Sequence, residues 1–320
     1  MTKKPKIIKI IAQINNRLDK EISNQLPEYS RSFIGSLIKN KQVSINNKII
    51  NKNSHKIKQN EKITIIIPKT EILKIEPQKG NLDIIFENTD FLLINKPPFL
   101  PVHTSHGHQN DTLINIILYH YPKFANFKPI NNIFRPGIVH RLDKDTSGLI
   151  LIAKNQNSLN FFQDEIKNRH WIKKYYALII NNNRKSRGVI TKNICRDPHH
   201  RQKFITTHLG KGKTATTEYK IIKNFNYKNN NLSLIDINLK TGRTHQIRVH
   251  LLSENMPIIG DQTYCTKESK QISQMLEINR QLLHAYYLKI SNPRDKKKLI
   301  FKINPPKDFE KILSHLKKQV

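Results

Sequence analysis

Apolar positions along this chain change their spacing several times, and each change marks an element. A helix is expected around Leu18–Leu26, stopped by Pro27. Ser30 stands where a helix cap is needed, and after it Phe33, Ile34, Leu37 and Ile38 recur at helical spacing. Arg31, Lys39 and Lys41 fall elsewhere on that helix, so one face packs and the other is basic. Val43, Ile45, Ile49-Ile50 and the run Ile63 to Ile67 read as short strands, with Asn46-Asn47 supplying turn chemistry. Together these form a small α+β unit, assigned to residues 1–67.

Residues 68–81 carry Pro68, Pro77 and Gly80 among charged side chains and read as a linker. Beyond it, strand-like runs dominate: Ile84 to Phe86, Phe91 to Ile94, Leu149 to Ala153, Tyr175 to Ile180, Tyr219 to Ile222, Leu232 to Leu239 and Ala285 to Ile290. Helices are expected at Thr112–Tyr119, at Ser158–Asn168 with Leu159, Phe162 and Ile166 on one face, and at Thr244–Glu254. The pattern predicts an α+β fold with a strand-rich mixed sheet over residues 82–306, closed by a basic tail or helix at 307–320. Regular βαβ alternation is missing, internal repeats are missing, and neither GxGxxG nor GxxxxGK[ST] occurs, so a nucleotide cofactor has no cradle.

Composition adds a partner. Lys and Arg number 56 against 24 Asp and Glu, a formal charge of +32 that exceeds what solubility requires and suits a polyanion. Lys-, Asn- and Ile-rich usage of the kind an AT-rich genome produces accounts for part of the excess; the remainder points to nucleic acid. After Met1-Thr2-Lys3-Lys4-Pro5-Lys6 only the short apolar piece Ile7–Ala12 follows, so neither a signal peptide nor a membrane span is expected. Two distant cysteines, Cys195 and Cys265, form no CxxC pair, which fits a reducing cytoplasm and gives no thiolate zinc site.

Candidate chemistry concentrates in two places. His140-Arg141-Leu142-Asp143-Lys144-Asp145-Thr146-Ser147-Gly148 runs directly into the apolar strand at Leu149. Taken alone, Asp143 could be a surface ion-pair partner of Arg141, worth about 0–1 kcal/mol. The second cluster, Thr241-Gly242-Arg243-Thr244-His245-Gln246-Ile247-Arg248-Val249-His250, tips the balance, because a glycine turn there opens a helix studded with donors. Arginines near a partly enclosed carboxylate keep it ionised, as a nucleophilic or base-acting Asp requires. His103, His106 and His108 lack a carboxylate or thiolate at ligand spacing, and His245 and His250 sit five apart, so no metal is expected.

The block from His140 to Lys154 resembles the signature of the ribosomal and transfer RNA pseudouridine synthases, the RluA-type family. Asn95-Lys96-Pro97 with Val102-His103, Lys174-Tyr175, Thr241 to His250 and Gly260-Asp261 match further landmarks in order, over residues 82–306. Arg17-Leu18-Asp19 and Ser30-Arg31-Ser32 are similar to the S4 RNA-binding domain that several bacterial members carry. Pro27 to Ser32 and Glu76-Pro77-Gln78 resemble the members that act on the helix 69 stem-loop of 23S rRNA. One departure is Cys265, where many relatives place a glycine after Tyr264.

The resemblance implies that Asp143 is the catalytic carboxylate, that Tyr175 lies against the uracil ring, and that Arg248 pairs with Asp143. Arg141 would hold the vacated position in the RNA, and Arg17, Arg31, Lys96, His103, Arg243, His245 and Gln246 would contact RNA. The implied enzyme is a monomer acting on large-subunit rRNA without cofactor or membrane. A transfer RNA target stays open, as does a non-catalytic ribosome-assembly protein that uses the same fold for binding. Since side chains alternate along a strand, Tyr175 and Tyr176 should face opposite sides of their sheet, and only the resemblance assigns the cleft to Tyr175.

Overall fold

The Asn46-Asn47 pair decides the topology of the first unit. Both residues take positive φ (47° and 67°), the backbone of a two-residue hairpin turn whose twist matches its strands. The computed structural model describes residues 5–68, 75–104, 108, 110–127, 134–181, 185–200, 202–207 and 210–318. His106, singled out in the sequence, lies outside the described residues. Two units are formed, one from residues up to 74 together with Phe134, and one from Ile75–Phe127 and Arg135 onward.

In the first unit the order is β1 (Lys6–Ile11), β2 (Asn16–Arg17), α1 (Leu18–Gln25), α2 (Arg31–Lys39), β3 (Val43–Ile45), β4 (Lys48–Ile49), β5 (Lys56–Ile57) and β6 (Lys62–Ile67). The main sheet runs β1-β6-β3-β4 and is antiparallel throughout. Ser30 caps α2 by accepting from the Phe33 N–H, and Ile34, Leu37 and Ile38 pack with Leu18, Ile22, Val43 and Ile63 into one core. The expected short apolar piece at 7–12 is largely β1, paired along its whole length with β6.

In the second unit, β7 (Ile84–Glu87), β8 (Phe91–Lys96), α3 (Leu113–His120), β9 (Ser147–Ala153), α4 (Gln156–Lys167) and β10 (Ile172–Ile180) come first. They are followed by β11 (Arg187–Arg196), β12 (Phe204–Thr207), β13 (Lys213–Tyr227), β14 (Asn230–Leu239), α5 (Gln246–Ser253), α6 (Lys267–Met275), β15 (Leu283–Ser291), β16 (Lys298–Lys302) and α7 (Lys307–Lys317). One sheet holds all ten strands in the order β12-β11-β13-β14-β10-β15-β9-β8-β7, with β16 beside β15. It is mixed, because β9 runs parallel to β15 while its other pairings are antiparallel. Of the stretch read as a linker, 69–74 is outside the described residues. Ile75 is buried, and Gln78, Glu76 and Gly80 bond to Asn115 and His120 of α3.

The β9–β15 contact sets the position of the Asp143 loop. Gly148 takes φ +116°, and a Cβ there would lie 2.4 Å from the Ala285 carbonyl oxygen, so only glycine lets the two strands meet. Three histidines sit against this sheet, His250 and His284 buried and His140 half-buried at the cleft. His140 accepts from the Leu151 N–H, His284 bonds to Ser147, and His250 bonds to Thr217. Burial lowers their proton affinity, to about 3 for His140 and about 4 for His250 and His284, against an ordinary 6.5. Since the unfolded chain binds these protons first, the stability they contribute is complete above pH 6.5 and is lost as pH falls towards 4. Urea titrations between pH 7 and 4.5 should therefore show unfolding coupled to net proton uptake near pH 5, by these rings together with His103 and His245, whose proton affinity burial also lowers. Uptake of fewer than one would contradict the buried, neutral state.

Candidate active site

Asp143 sits on the turn that enters β9, and that turn is held from several sides. The Thr146 N–H closes it by donating to the Asp143 carbonyl. Lys96 donates to the Lys144 carbonyl, Arg280 to the Asp145 carbonyl, and Gln281 to the Thr146 hydroxyl. Such a loop presents one carboxylate in a fixed place.

Its partner comes from α5, 105 residues further on. Arg248 Nη1 lies 3.0 Å from Asp143 Oδ2, while Nε and Nη2 of the same guanidinium grip Asp261 at 2.7 and 2.8 Å. Asp261 is sealed from solvent, Arg248 is nearly so, and Asp143 keeps 18 % of its side chain exposed. The planar fork of arginine suits this arrangement, since one carboxylate is held bidentately and a donor remains for the other. Burial alone would weaken the hold of Arg248 on its proton, but the bonds and charge of Asp261, and then of Asp143, outweigh it and leave it above the ordinary arginine value. Asp143 thus faces a permanent cation from below and open space above. The Tyr264 ring lies 4.8 Å from the Arg248 guanidinium carbon and completes the packing.

Local sequence explains the start of α5. His245 adopts the left-handed conformation, and the Gln246 side-chain oxygen Oε1 accepts from Thr241 Oγ1 and the Arg243 N–H, so the helix begins at Gln246 rather than Thr244. His245 Nδ1 meets the Tyr264 hydroxyl at 2.8 Å, and its Nε2 stands 3.9 Å from Asp143 Oδ1. The Tyr264 oxygen already accepts from the Phe204 N–H, so its own proton is available to His245 Nδ1, leaving Nε2–H turned towards Asp143. Burial lowers the proton affinity of this ring, with the Asp143 charge opposing.

An open cleft of about 600 Å³ gathers Asp143, Tyr175, Arg248, Arg141, His103, Arg243, His245 and Gln246. Tyr175 of β10 is buried at its wall, and burial followed by the Asp143 charge raises its phenol well above the ordinary value, so it works as a neutral ring. Tyr176 lines a separate cleft, as alternation requires. His103 donates through Nδ1 to the Thr104 carbonyl, which leaves Nε2 as the acceptor 3.5 Å from Arg141 Nη1. Further cations on the walls are Arg135, Lys167, Arg169, Lys173 and Lys240, and Asp143 is the one carboxylate among the lining residues. Arg17 and Arg31 belong to the first unit, where both grip Asp19 and keep nearly half of their side chains exposed.

Two expected RNA contacts need correction. Lys96 is fully buried, and its ammonium donates to the carbonyls of Pro97, Leu100 and Lys144 at 2.7, 2.9 and 2.9 Å, so it fastens loops and cannot reach RNA. Burial pulls it down to about 7, against the charges of Asp145 and Asp143. Gln246 is likewise buried, bonded to Thr216, Thr217 and Thr241. The sequence reading gave no role to Asp261; the signal for one was an acidic landmark downstream of an arginine that needs a second acceptor.

The profile of the family described as RNA pseudouridylate synthase matches residues 90–253, and that of the S4 domain matches residues 16–63. An RNA pseudouridine synthase of Aquifex aeolicus is 35% identical, with 94% of this chain and 93% of that one covered. The chain belongs to the RNA pseudouridylate synthase family. Another similar member, ribosomal large subunit pseudouridine synthase D of Buchnera aphidicola subsp. Schizaphis graminum, is 39% identical over 94% of both chains. The solved structure of human RNA pseudouridylate synthase domain containing 1 superposes with a TM-score of 0.57 at 26% identity, covering 72% of this chain and 87% of that one. The mixed sheet is therefore that of a pseudouridylate synthase, preceded by an S4 domain.

Proposed function

We propose that this synthase isomerises uridine in the helix 69 stem-loop of 23S rRNA, with Asp143 as the catalytic carboxylate and without a cofactor. The observation that carries the reading is the chain Asp143–Arg248–Asp261 at the floor of a cation-lined cleft with Tyr175 at its wall. The large-subunit synthase D relatives support the ribosomal target, and the phrases Pro27 to Ser32 and Glu76 to Gln78 support the stem-loop.

The reaction breaks the N1–C1′ bond, turns the uracil and joins C5 to C1′. The C5 proton leaves and N1 gains one, so reactant and product share one formula and neither an oxidant nor an energy source is needed. Attack at C1′, addition at C6 and removal of a sugar proton all call for an ionised carboxylate, which Arg248 keeps in place. A uridine must leave its stack to reach Asp143, at a cost of a few kcal/mol that is least in loops. Stacking on Tyr175 offsets about 1–3 kcal/mol of this. Arg141 fills the space the base vacates, while Arg243, His103 and His245 hold the flanking strand. The half-exposed Arg17 and Arg31 add phosphate contacts from the S4 domain, and the monomer works in the cytoplasm, where two unpaired cysteines stay reduced.

The test is a nucleotide-resolution map of pseudouridine in ribosomal and transfer RNA from cells with and without this gene. Loss of the helix 69 positions is expected. Loss confined to transfer RNA overturns the ribosomal target, and an unchanged map overturns the assignment of a reaction in the cell.

A further inference from the structure

The reverse face of the catalytic sheet carries a second cleft, of about 650 Å³, lined by Lys174, Tyr176, Tyr286, Tyr287 and Lys302 with Asn95, Ile303 and Asn304. Strand alternation separates it from the active site, because Lys173 and Tyr175 line the catalytic cleft while Lys174 and Tyr176 line this one.

Adjacent tyrosines should also point apart, yet Tyr286 and Tyr287 share the cleft. Pairing explains this: Lys174 and Tyr176 of β10 oppose Tyr287 and His284 of β15, so β15 holds an extra residue at that point. A bulge of this kind re-aims a side chain, and here it turns Tyr286 to the side of Tyr287. Tyr286 then stacks on Tyr176 with ring centres 3.8 Å apart and planes 2° from parallel. Its hydroxyl donates to Asp236, which fixes the ring.

Cations frame this platform. Asn238, Lys174, Tyr287 and Lys302 lie in register across β14, β10, β15 and β16. The Lys174 and Lys302 ammoniums stand 5.6 and 5.7 Å from the centre of the Tyr287 ring. Asp236, 3.6 Å from Lys174, offsets one charge, while the exposed Lys302 has no carboxylate partner among the described residues and can meet an anion. Rings at stacking height, ammoniums beside them and amides at the rim match the parts of a ribonucleotide: base, phosphate and base edge. Four strands span about 14 Å, longer than one base, which favours a strand over a free nucleotide.

We infer that the reverse face of the sheet, centred on Tyr287, Tyr286, Tyr176 and Lys302, binds a single-stranded segment of the substrate RNA away from the target loop. Sheet faces that display aromatics between cations read unpaired RNA in this way. The site would give the enzyme a grip on a long RNA that a minimal stem-loop does not use. It adds to the catalytic cleft and shares no side chain with it.

The experiment compares a long 23S rRNA fragment with a minimal stem-loop, using full-length wild type, Tyr287→Ala, Tyr287→Phe and Lys302→Glu. For the long fragment, KM should rise roughly tenfold in Tyr287→Ala and Lys302→Glu with kcat unchanged, and Tyr287→Phe should keep the wild-type value because it keeps the ring. The stem-loop should react alike with all four proteins, which also shows that each is folded. Equal KM values on the long fragment, or a parallel loss on both substrates, would overturn the site. As an independent readout, long RNA carrying 4-thiouridine should cross-link to the peptide that contains Tyr286 and Tyr287. Cross-links confined to peptides of the catalytic cleft contradict it. Should no wild-type activity appear on either RNA, the target assignment fails, while the cross-link still decides the second site.

Discussion

Asp143→Asn should lower the rate of pseudouridine formation by about 10⁴-fold or more, the scale seen when an enzyme loses the group that attacks its substrate. The substitution keeps the shape of the side chain and removes its charge. Arg248 remains bidentate with Asp261, so the floor of the cleft stays assembled and the thermal transition should shift little. RNA binding should hold or tighten slightly, since a negative charge has gone from a cleft lined by cations. Single-turnover assays that count pseudouridine by mass spectrometry, beside anisotropy titrations of the same RNA, separate the two effects. Full activity in the variant would remove Asp143 from its role. Activity and binding lost together would recast it as a structural residue.

Legibility of the fold followed burial. Strands buried on both faces, such as β9 with every residue inside, stand out as unbroken apolar runs, and the hairpin at Asn46-Asn47 announces itself through its turn. The elements that sequence reading passed over are the half-wet ones. In β11 the run Arg-Gly-Val-Ile-Thr-Lys-Asn-Ile-Cys-Arg alternates weakly, and β16 exposes every second residue. The nine residues of α6 bring only Ile272 as an apolar side chain into the core, with a Thr266 cap to start it. The register of β15 was equally hidden, since a bulge depends on both strands and leaves no mark in either alone.

For the site, the two charged clusters were visible because their residue types are costly anywhere else. Their pairing was not, since 105 residues separate Asp143 from Arg248 and the surface pairing with Arg141 was equally consistent with the sequence. Lys96 shows the converse failure. A lysine beside prolines reads as solvent-facing, and only the fold reveals three carbonyls, two from its own turn and one from the Asp143 loop, converging on one ammonium. Buried charge is legible in a sequence only when its partner is adjacent.

Arg248→Met tests that last point on the residue where most depends on it. Removing the guanidinium leaves the Asp261 carboxylate, sealed from solvent, without its counter-charge and with the Thr263 and Tyr264 N–H groups as its remaining donors. Breaking a buried pair on one side costs about 3–5 kcal/mol, so the variant should unfold at markedly lower urea and lose activity as well. The double variant Arg248→Met with Asp261→Asn relieves the stranded charge and should recover much of the stability. It should recover no activity, because Asp143 still lacks its cation. Differential denaturation of the three proteins, with assays on those that fold, makes the distinction. Activity restored along with stability would mean that Arg248 serves the fold alone, and that the catalytic carboxylate does without a fixed counter-charge.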